Sequence, residues 1–273
     1  MPYFPQINAQ GVMVQRPYGA GHAYKTTVVE LPCGITNVWG WRGMAVANCL
    51  DRPLGVFDIS YSAITDAEVD VLHAFFVSMR GRWGEFSYLD PHGNLVPASE
   101  NFADASWALQ DVNRTPGQAD PFGGAQATRI TATGAGPLQC TVLPGGGASG
   151  FVLNASVWAK AASAGQQLTV AFLDSGNSVL SSTTRTLPNG LWVRAEHAAT
   201  LTTNSPIRAR MSGMTDVMLF GAQCVPAPGP GGYMKTPGKR GLYPKCRFDQ
   251  DTFQPRYAGP NQNSLKLAIV EHN

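Results

Sequence analysis

Residues 52–91 read RPLGVFDISYSAITDAEVDVLHAFFVSMRGRWGEFSYLDP, and this stretch decides the fold. Phe57, Ile59 and Tyr61 alternate with Val56, Asp58 and Ser60, the period of two that marks a half-buried strand. Thr65-Asp66-Ala67-Glu68 has the spacing of a capping box, in which the Thr hydroxyl accepts from the backbone N–H three residues on and the Glu side chain reaches back. Val69, Leu72, Phe75, Phe76 and Met79 follow at helical intervals. The spacing predicts a helix of about four turns with that stripe on a sheet, stopped by Gly81 in the left-handed position. Phe86 and Tyr88, alternating with Glu85 and Ser87, predict a second strand, and Asp90-Pro91-His92-Gly93-Asn94 predicts a turn.

The matching piece comes only much later. Residues 247–255, RFDQDTFQP, lead to a closing alternation of Leu265, Leu267 and Ile269 against Lys266, Ala268 and Val270, ending near Glu271. Between the two pieces the composition and the grammar change, which is the pattern of one domain opened at a loop tip to accept another. Exposed turns tolerate such insertions because the flanking strands already hold the two break points close together. A length of 273 residues suits about two domains. The expected division is a discontinuous framework domain, 1–100 and 237–273, and an inserted domain, 101–236.

Thirty glycines, twenty prolines and 14% charged residues beside 44% hydrophobic content describe a turn-rich, core-forming chain rather than a disordered one. The predicted class is mainly β: a β-sandwich or barrel framework with one helix, plus an inserted β-sandwich. A net charge of +2, with no cationic run longer than Lys239-Arg240, argues against nucleic acid or an anionic membrane as partner. The opening MPYFPQINAQ has neither the basic start nor the apolar core of a secretory signal, and no stretch is long enough to span a bilayer. Assembly in a cytoplasm without membrane insertion is expected. The odd set Cys33, Cys49, Cys140, Cys224 and Cys246 contains no C-x-x-C, so free buried thiols are expected rather than disulfides or a zinc site.

The ordered combination of PLGVFDISYSAIT, the helix, and the run Gly81, Arg82, Trp83, Gly84, Phe86, Asp90 and Pro91, joined to RFDQDTF and a closing strand ending in Glu, resembles the distal tail (tail-tip) protein family of long-tailed bacteriophages and gene transfer agents. The resemblance covers about half the chain. It implies a structural virion protein at the tail tip, forming a hexameric ring between the tail tube protein and the tail hub protein. The familiar version lacks so large an insert, and the insert has a resemblance of its own. Asn101-Phe102 with Trp107, the strand SVWAKA at 156–161, Leu191-Trp192, FGAQ at 220–223 and GGYMKT at 231–236 are similar to the jelly-roll carbohydrate-binding modules. That likeness implies reversible binding of a host surface polysaccharide.

The residues themselves offer a candidate glycan site. Sugar recognition combines an aromatic face under the ring with planar polar groups on the hydroxyls. In residues 150–161, Phe151, Leu153, Ala155, Val157 and Ala159 form a core face, and Val152, Asn154, Ser156, Trp158 and Lys160 form the other. Arg208 and Arg210 share a face of the strand at 207–212, and Gln223 lies on the strand at 216–225. If these faces coincide, Trp158, Asn154, Lys160, Arg208, Arg210 and Gln223 form an amphipathic cationic surface suited to an acidic or phosphorylated polysaccharide. Trp107 and Trp192 are expected in the core. The competing expectation is packing for Trp158, a solvated face for the two arginines and backbone pairing for Gln223.

Catalysis is not expected. The histidines His22, His73, His92, His197 and His272 have no ligand spacing, and no G-x-S-x-G elbow is present. Among the insert's carboxylates, Glu196 and Asp174 meet across a glycosidic bond only if the topology happens to bring them together. No cofactor and no catalytic or metal-ligating residue is assigned. A free envelope polysaccharide-binding protein and a purely architectural insert contacting other tail proteins are the alternative readings.

Overall fold

The computed structural model describes residues 2–7, 12–16, 29–30, 36–37, 56–91, 93–132, 137–145, 148–236 and 241–271. The chain forms two compact units, Met1–Tyr88 with Tyr243–Asn273, and Leu89–Leu242. Both are built almost wholly from antiparallel strands.

The discontinuous unit holds β1 (Val12–Arg16), a two-residue ladder of β2 (Val29–Glu30) and β3 (Thr36–Asn37), β4 (Val56–Ile64), helix α1 (Asp66–Ser78) and β5 (Phe86–Leu89). The later chain adds the strands Leu242–Phe248, Arg256–Gly259 and Gln262–Glu271, numbered β16, β17 and β18 in chain order. The main sheet runs β1-β4-β18-β16-β5, with β17 hung on β18. The two halves of the split signature therefore interleave: β18 lies against β4 with Leu267 opposite Ile59 and Ile269 opposite Phe57, while β16 separates it from β5.

The expected alternation sets the core. Phe57, Ile59, Tyr61, Leu265, Leu267 and Ile269 are buried together with Val69, Leu72 and Phe76 of α1. Phe75 and Met79 pack against that cluster half-buried. The capping box forms, with Glu68 N–H donating to Thr65 Oγ1 at 3.2 Å and Thr65 N–H to Glu68 Oε2 at 2.9 Å. Two readings change. The left-handed backbone begins at Arg80 (φ 55°), one residue before Gly81 (φ 61°). Ser87, expected on a polar face, is buried because residues 2–4 lie along β5, with Ser87 N–H on the Pro2 carbonyl and Phe4 N–H on the Ser87 carbonyl, both at 2.8 Å.

The continuous unit is a jelly-roll β-sandwich, with no helix among its described residues. Its strands are β6 (Trp107–Leu109), β7 (Val112–Gln118), β8 (Ala127–Ala132), β9 (Leu138–Leu143), β10 (Val152–Ala161), β11 (Gln167–Leu173), β12 (Val179–Thr186), β13 (Trp192–Thr200), β14 (Ile207–Ser212) and β15 (Asp216–Val225). They form two five-stranded sheets, β13-β10-β15-β8-β7 and β12-β11-β14-β9-β6. Leu153, Ala155, Val157 and Ala159 of the first sheet are buried as the alternation predicts, with Phe151 half-buried, and they face the buried Leu168, Val170 and Phe172 of the second, the arrangement of two inner faces meeting in one core. Trp107 is buried, its indole N–H on the Ala98 carbonyl at 2.9 Å. His197 is also buried, its Nδ1 2.8 Å from Thr183 Oγ1, and burial holds the imidazole below its ordinary pKa. Cys140, Cys224 and Cys246 are buried thiols outside any disulfide; Cys33 and Cys49 lie outside the described residues, as do His22, His92 and His272.

Candidate functional site

On the outer face of the first sheet, Trp158 sits between Arg194 of β13 and Phe220 of β15, and Lys160 sits between Trp192 and Met218. Two loops close over this row. Asp120 holds the first: its carboxylate accepts N–H groups from Phe122 at 2.9 Å, Gly124 at 3.0 Å and Gln126 at 3.2 Å. These bonds keep the acid ionised below the usual carboxylate range, against the opposing effect of burial. The loop thereby presents Phe122, 63% exposed, edge-on to Trp158 and Phe220 with ring centroids 5.7 Å away in each case.

The second loop supplies Tyr233, whose ring is parallel to Phe122 at 6.4 Å and whose hydroxyl reaches Glu100 Oε1 at 3.0 Å and Ser99 Oγ at 3.2 Å. Burial and the neighbouring Glu100 raise the phenol's pKa, so it stays a neutral donor. Tyr233 can lie this close to β15 because Gly221 beneath it has φ +62° and no side chain; a Cβ there would be 2.9 Å from the ring. The result is an aromatic platform of Phe122, Trp158 and Tyr233 over buried Phe220. Lys160 stands along its edge, and Arg129 is fixed there by a two-point pair with Asp216 at 2.8 and 2.6 Å. Trp158 Nε1 is buried with no partner among the described residues.

The six sequence-predicted residues do not converge on one face. Trp158 and Lys160 lie half-buried on this platform. Asn154 and Gln223 are on the same sheet face but buried, because residues 226–232 fold back across it. A proline-rich segment offers carbonyls and few N–H groups, so donors must come from the sheet. Gln223 Nε2 serves the carbonyls of Pro230 at 2.9 Å and Gly232 at 3.2 Å, Asn154 Nδ2 that of Pro228 at 3.3 Å, and Arg194 that of Gly231 at 2.6 Å. Gln223 Oε1 in turn accepts from Arg194 and the Met234 N–H. Asn154 and Gln223 are thus engaged in holding the exit segment.

Arg208 and Arg210 share a face, but on β14 in the second sheet, away from Trp158. Trp192, expected in the core, is half-buried on the outer face because it pairs with Lys160. Glu196 is exposed on β13, whereas Asp174 follows β11 of the other sheet and binds its own turn. Among the described residues no three His, Cys, Asp or Glu side chains converge in a metal-binding group. A polar cleft of about 330 Å³ beside Glu100 is lined by Asn101, Gln126, Thr128 and Lys235; the Glu100 carboxylate there is already shared by Lys235 and Tyr233. Phe122, Tyr233 and Arg194 are the site-forming residues that sequence reasoning missed.

No family model matches the chain, and no curated protein matches it. Solved structures do. The chain is similar to the enzymatically active domain of tailspike protein 4 of bacteriophage CBA120, at 14% identity and TM-score 0.36 over 50% of this chain and 22% of that one. It is also similar to the CBM22-1 xylan-binding domain of Paenibacillus barcinonensis Xyn10C, at 12% identity and TM-score 0.35 over 49% of this chain and 90% of that one. A third is the C-terminal family 22 carbohydrate-binding module of Clostridium thermocellum Xyn10B, at 11% identity and TM-score 0.39 over 52% and 98%. The chain thus spans less than a quarter of the tailspike domain it matches.

Proposed function

We propose that this protein is a structural component of a phage-like particle, a distal tail protein whose discontinuous unit takes part in a hexameric ring between tail tube and hub, and whose continuous unit binds a host surface glycan reversibly. The observation that carries the glycan reading is the platform of Phe122, Trp158 and Tyr233, with Lys160 at its edge. Aromatic rings take the apolar face of a sugar, and convergent donors take its hydroxyls. The ring reading is supported by the split signature at residues 52–91 and 247–255 and by the interleaving of its two halves in one sheet. Copies on one ring would raise the avidity of a weak site by about 10²–10⁴.

The test is titration of the full chain with surface polysaccharide purified from the bacterium in which the particle grows. Wild type should bind saturably and Trp158→Ala should weaken binding about tenfold or more, equivalent to about 1.4 kcal/mol. Unchanged affinity in that variant would remove the platform from the site. Absence of any binding by a multivalent array of the chain would leave the continuous unit as architecture. Labelling of particles by antibody against the chain should fall at the tail tip, and labelling elsewhere would overturn the ring.

A further inference from the structure

The second sheet carries an asymmetry that the aromatic platform does not use. Its five strands, WAL, LQCTVL, QLTVAFL, VLSSTTRT and IRARMS, contain three arginines and no carboxylate. Arg185 turns to the carbonyl of Arg194 at 3.0 Å. Arg208 and Arg210 remain, on the outer face of the central strand β14, about 6.6 Å apart along it at ~3.3 Å per residue. Among the described residues Arg129 is paired with Asp216 and Lys235 with Glu100, whereas Arg208 and Arg210 make no ion pair.

Both guanidiniums are built into the face. Arg208 Nη1 donates to Asn177 Oδ1 at 2.6 Å, and the same oxygen accepts from Gln139 Nε2 at 3.3 Å. Asn177 is itself fixed at φ 67° in a turn that the Asp174 carboxylate closes by accepting N–H groups from Gly176 and Ser178. Arg210 stands between Gln139 of β9 and Ala171 of β11, half-buried, and its Nε is buried with no hydrogen-bond partner. Around the pair lie Thr141, Ser182 and Thr184. The five strands bring no carboxylate to this face, the Asp174 carboxylate at the end of β11 is taken up by the N–H groups of its own turn, and the terminal nitrogens of an arginine fork match a carboxylate group two-point for two-point. The flanking hydroxyls and amides suit sugar hydroxyls, and no aromatic residue on these five strands points outward to stack a base.

We propose that the outer face of the sheet β12-β11-β14-β9-β6 binds the carboxylates of an acidic polysaccharide through Arg208 and Arg210, on the opposite sheet from the aromatic platform. This deepens the reading of the continuous unit as a polysaccharide binder and rests on it for the class of polymer.

The full chain is titrated at low salt with polygalacturonate, alginate and hyaluronate, with methyl-esterified polygalacturonate and with polyglutamate. Binding to at least one of the three acidic polysaccharides is expected, lost on esterification and weakened by salt. Arg208→Gln with Arg210→Gln should weaken it tenfold or more, with the thermal midpoint unchanged, and Arg210→Lys should recover only part, since an ammonium lacks the fork. Arg256→Gln, which removes an exposed arginine of β17 in the discontinuous unit, should leave it unchanged. Failure to bind any acidic polysaccharide, wild-type affinity in the double variant, or equal binding of polyglutamate would each overturn the proposal. Loss through Trp158→Ala alone would move the acidic polymer to the platform, overturning this face while sustaining the proposed function. Loss of surface-glycan binding in no Trp158 variant, with the arginine effect intact, would do the reverse.

Discussion

Replacing Phe248 with alanine is expected to destabilise the discontinuous unit by about 3–5 kcal/mol, the range for emptying a fully buried phenylalanine site. Phe248 is 1% exposed and comes from the second half of the split signature, yet the rings it meets among the described residues come from the first half or the N-terminal segment. Its centroid lies 4.8 Å from Phe76 on α1, 4.9 Å from Phe86 on β5, 6.1 Å from Phe75 and 6.2 Å from Phe4. Removing it opens a cavity where four rings converge, and edge-to-face contacts are lost as well as buried area. Urea denaturation followed by hydrogen exchange is the check. Amides of α1, β4 and β18 should lose protection in Phe248→Ala, while those of β10, β11 and β14 keep it. A loss under about 1 kcal/mol would mean that residues 247–255 do not close the framework core, and would weaken the split-domain reading from which the tail-tip proposal starts.

The features legible in the sequence are those set by near neighbours. The capping box spans four residues and needs no tertiary partner, so Thr65 and Glu68 could be assigned directly. Alternation places Phe57, Ile59, Leu265 and Leu267 in a core whatever strand lies beside them. Ser87 failed because its burial depends on residues 2–4, more than eighty positions away. Arg80 failed for a subtler reason: Gly81 is left-handed too, and the local pattern does not say that a non-glycine residue precedes it in that conformation.

The candidate site was half legible for the same reason. Trp158 and Lys160 were correctly placed on one strand face, as were Arg208 and Arg210. Strand order is a non-local property, and β14 joins β11 and β9 rather than β10, so the two pairs occupy different sheets. Asn154 and Gln223 have the residue types of a sugar site, yet the same donors serve equally well to bind the carbonyls of a proline-rich segment, which is what residues 226–232 require. Phe122 did leave a signal: a large apolar residue in a turn of the form Asp-Pro-Phe-Gly-Gly is costly to expose without a use.

Asn94 carries the second large effect, expected to be a loss of about 3–5 kcal/mol in the continuous unit for Asn94→Ala. The residue reads as part of a turn after Asp90-Pro91, but it is 3% exposed and all four of its amide bonds are made. Its Nδ2 donates to the carbonyls of Ala222 and Met234, both at 2.9 Å, and its Oδ1 accepts from Val96 N–H and Cys224 N–H, both at 3.0 Å. One side chain thus satisfies backbone groups of the entering chain, of β15 and of the exit segment. Truncation strands two buried N–H groups and two carbonyls, at about 1–3 kcal/mol for each group that water does not reach. Asn94→Asp should be at least as damaging, because it replaces the donor with a second acceptor facing two carbonyls. Close by, Gly93 and Gly241 approach so tightly that a Cβ on Gly93 would sit 2.4 Å from Gly241 Cα, so the backbone there has little room to rearrange around the defect. Thermal denaturation read through hydrogen exchange of β10 and β15 settles it. Near-wild-type protection of both strands in Asn94→Ala would show that the Asn94 bonds contribute little to closing the unit on itself. Strong loss confined to β15 and residues 226–236 would identify Asn94 as the tie that keeps the exit segment, and with it Tyr233, against the glycan-binding face.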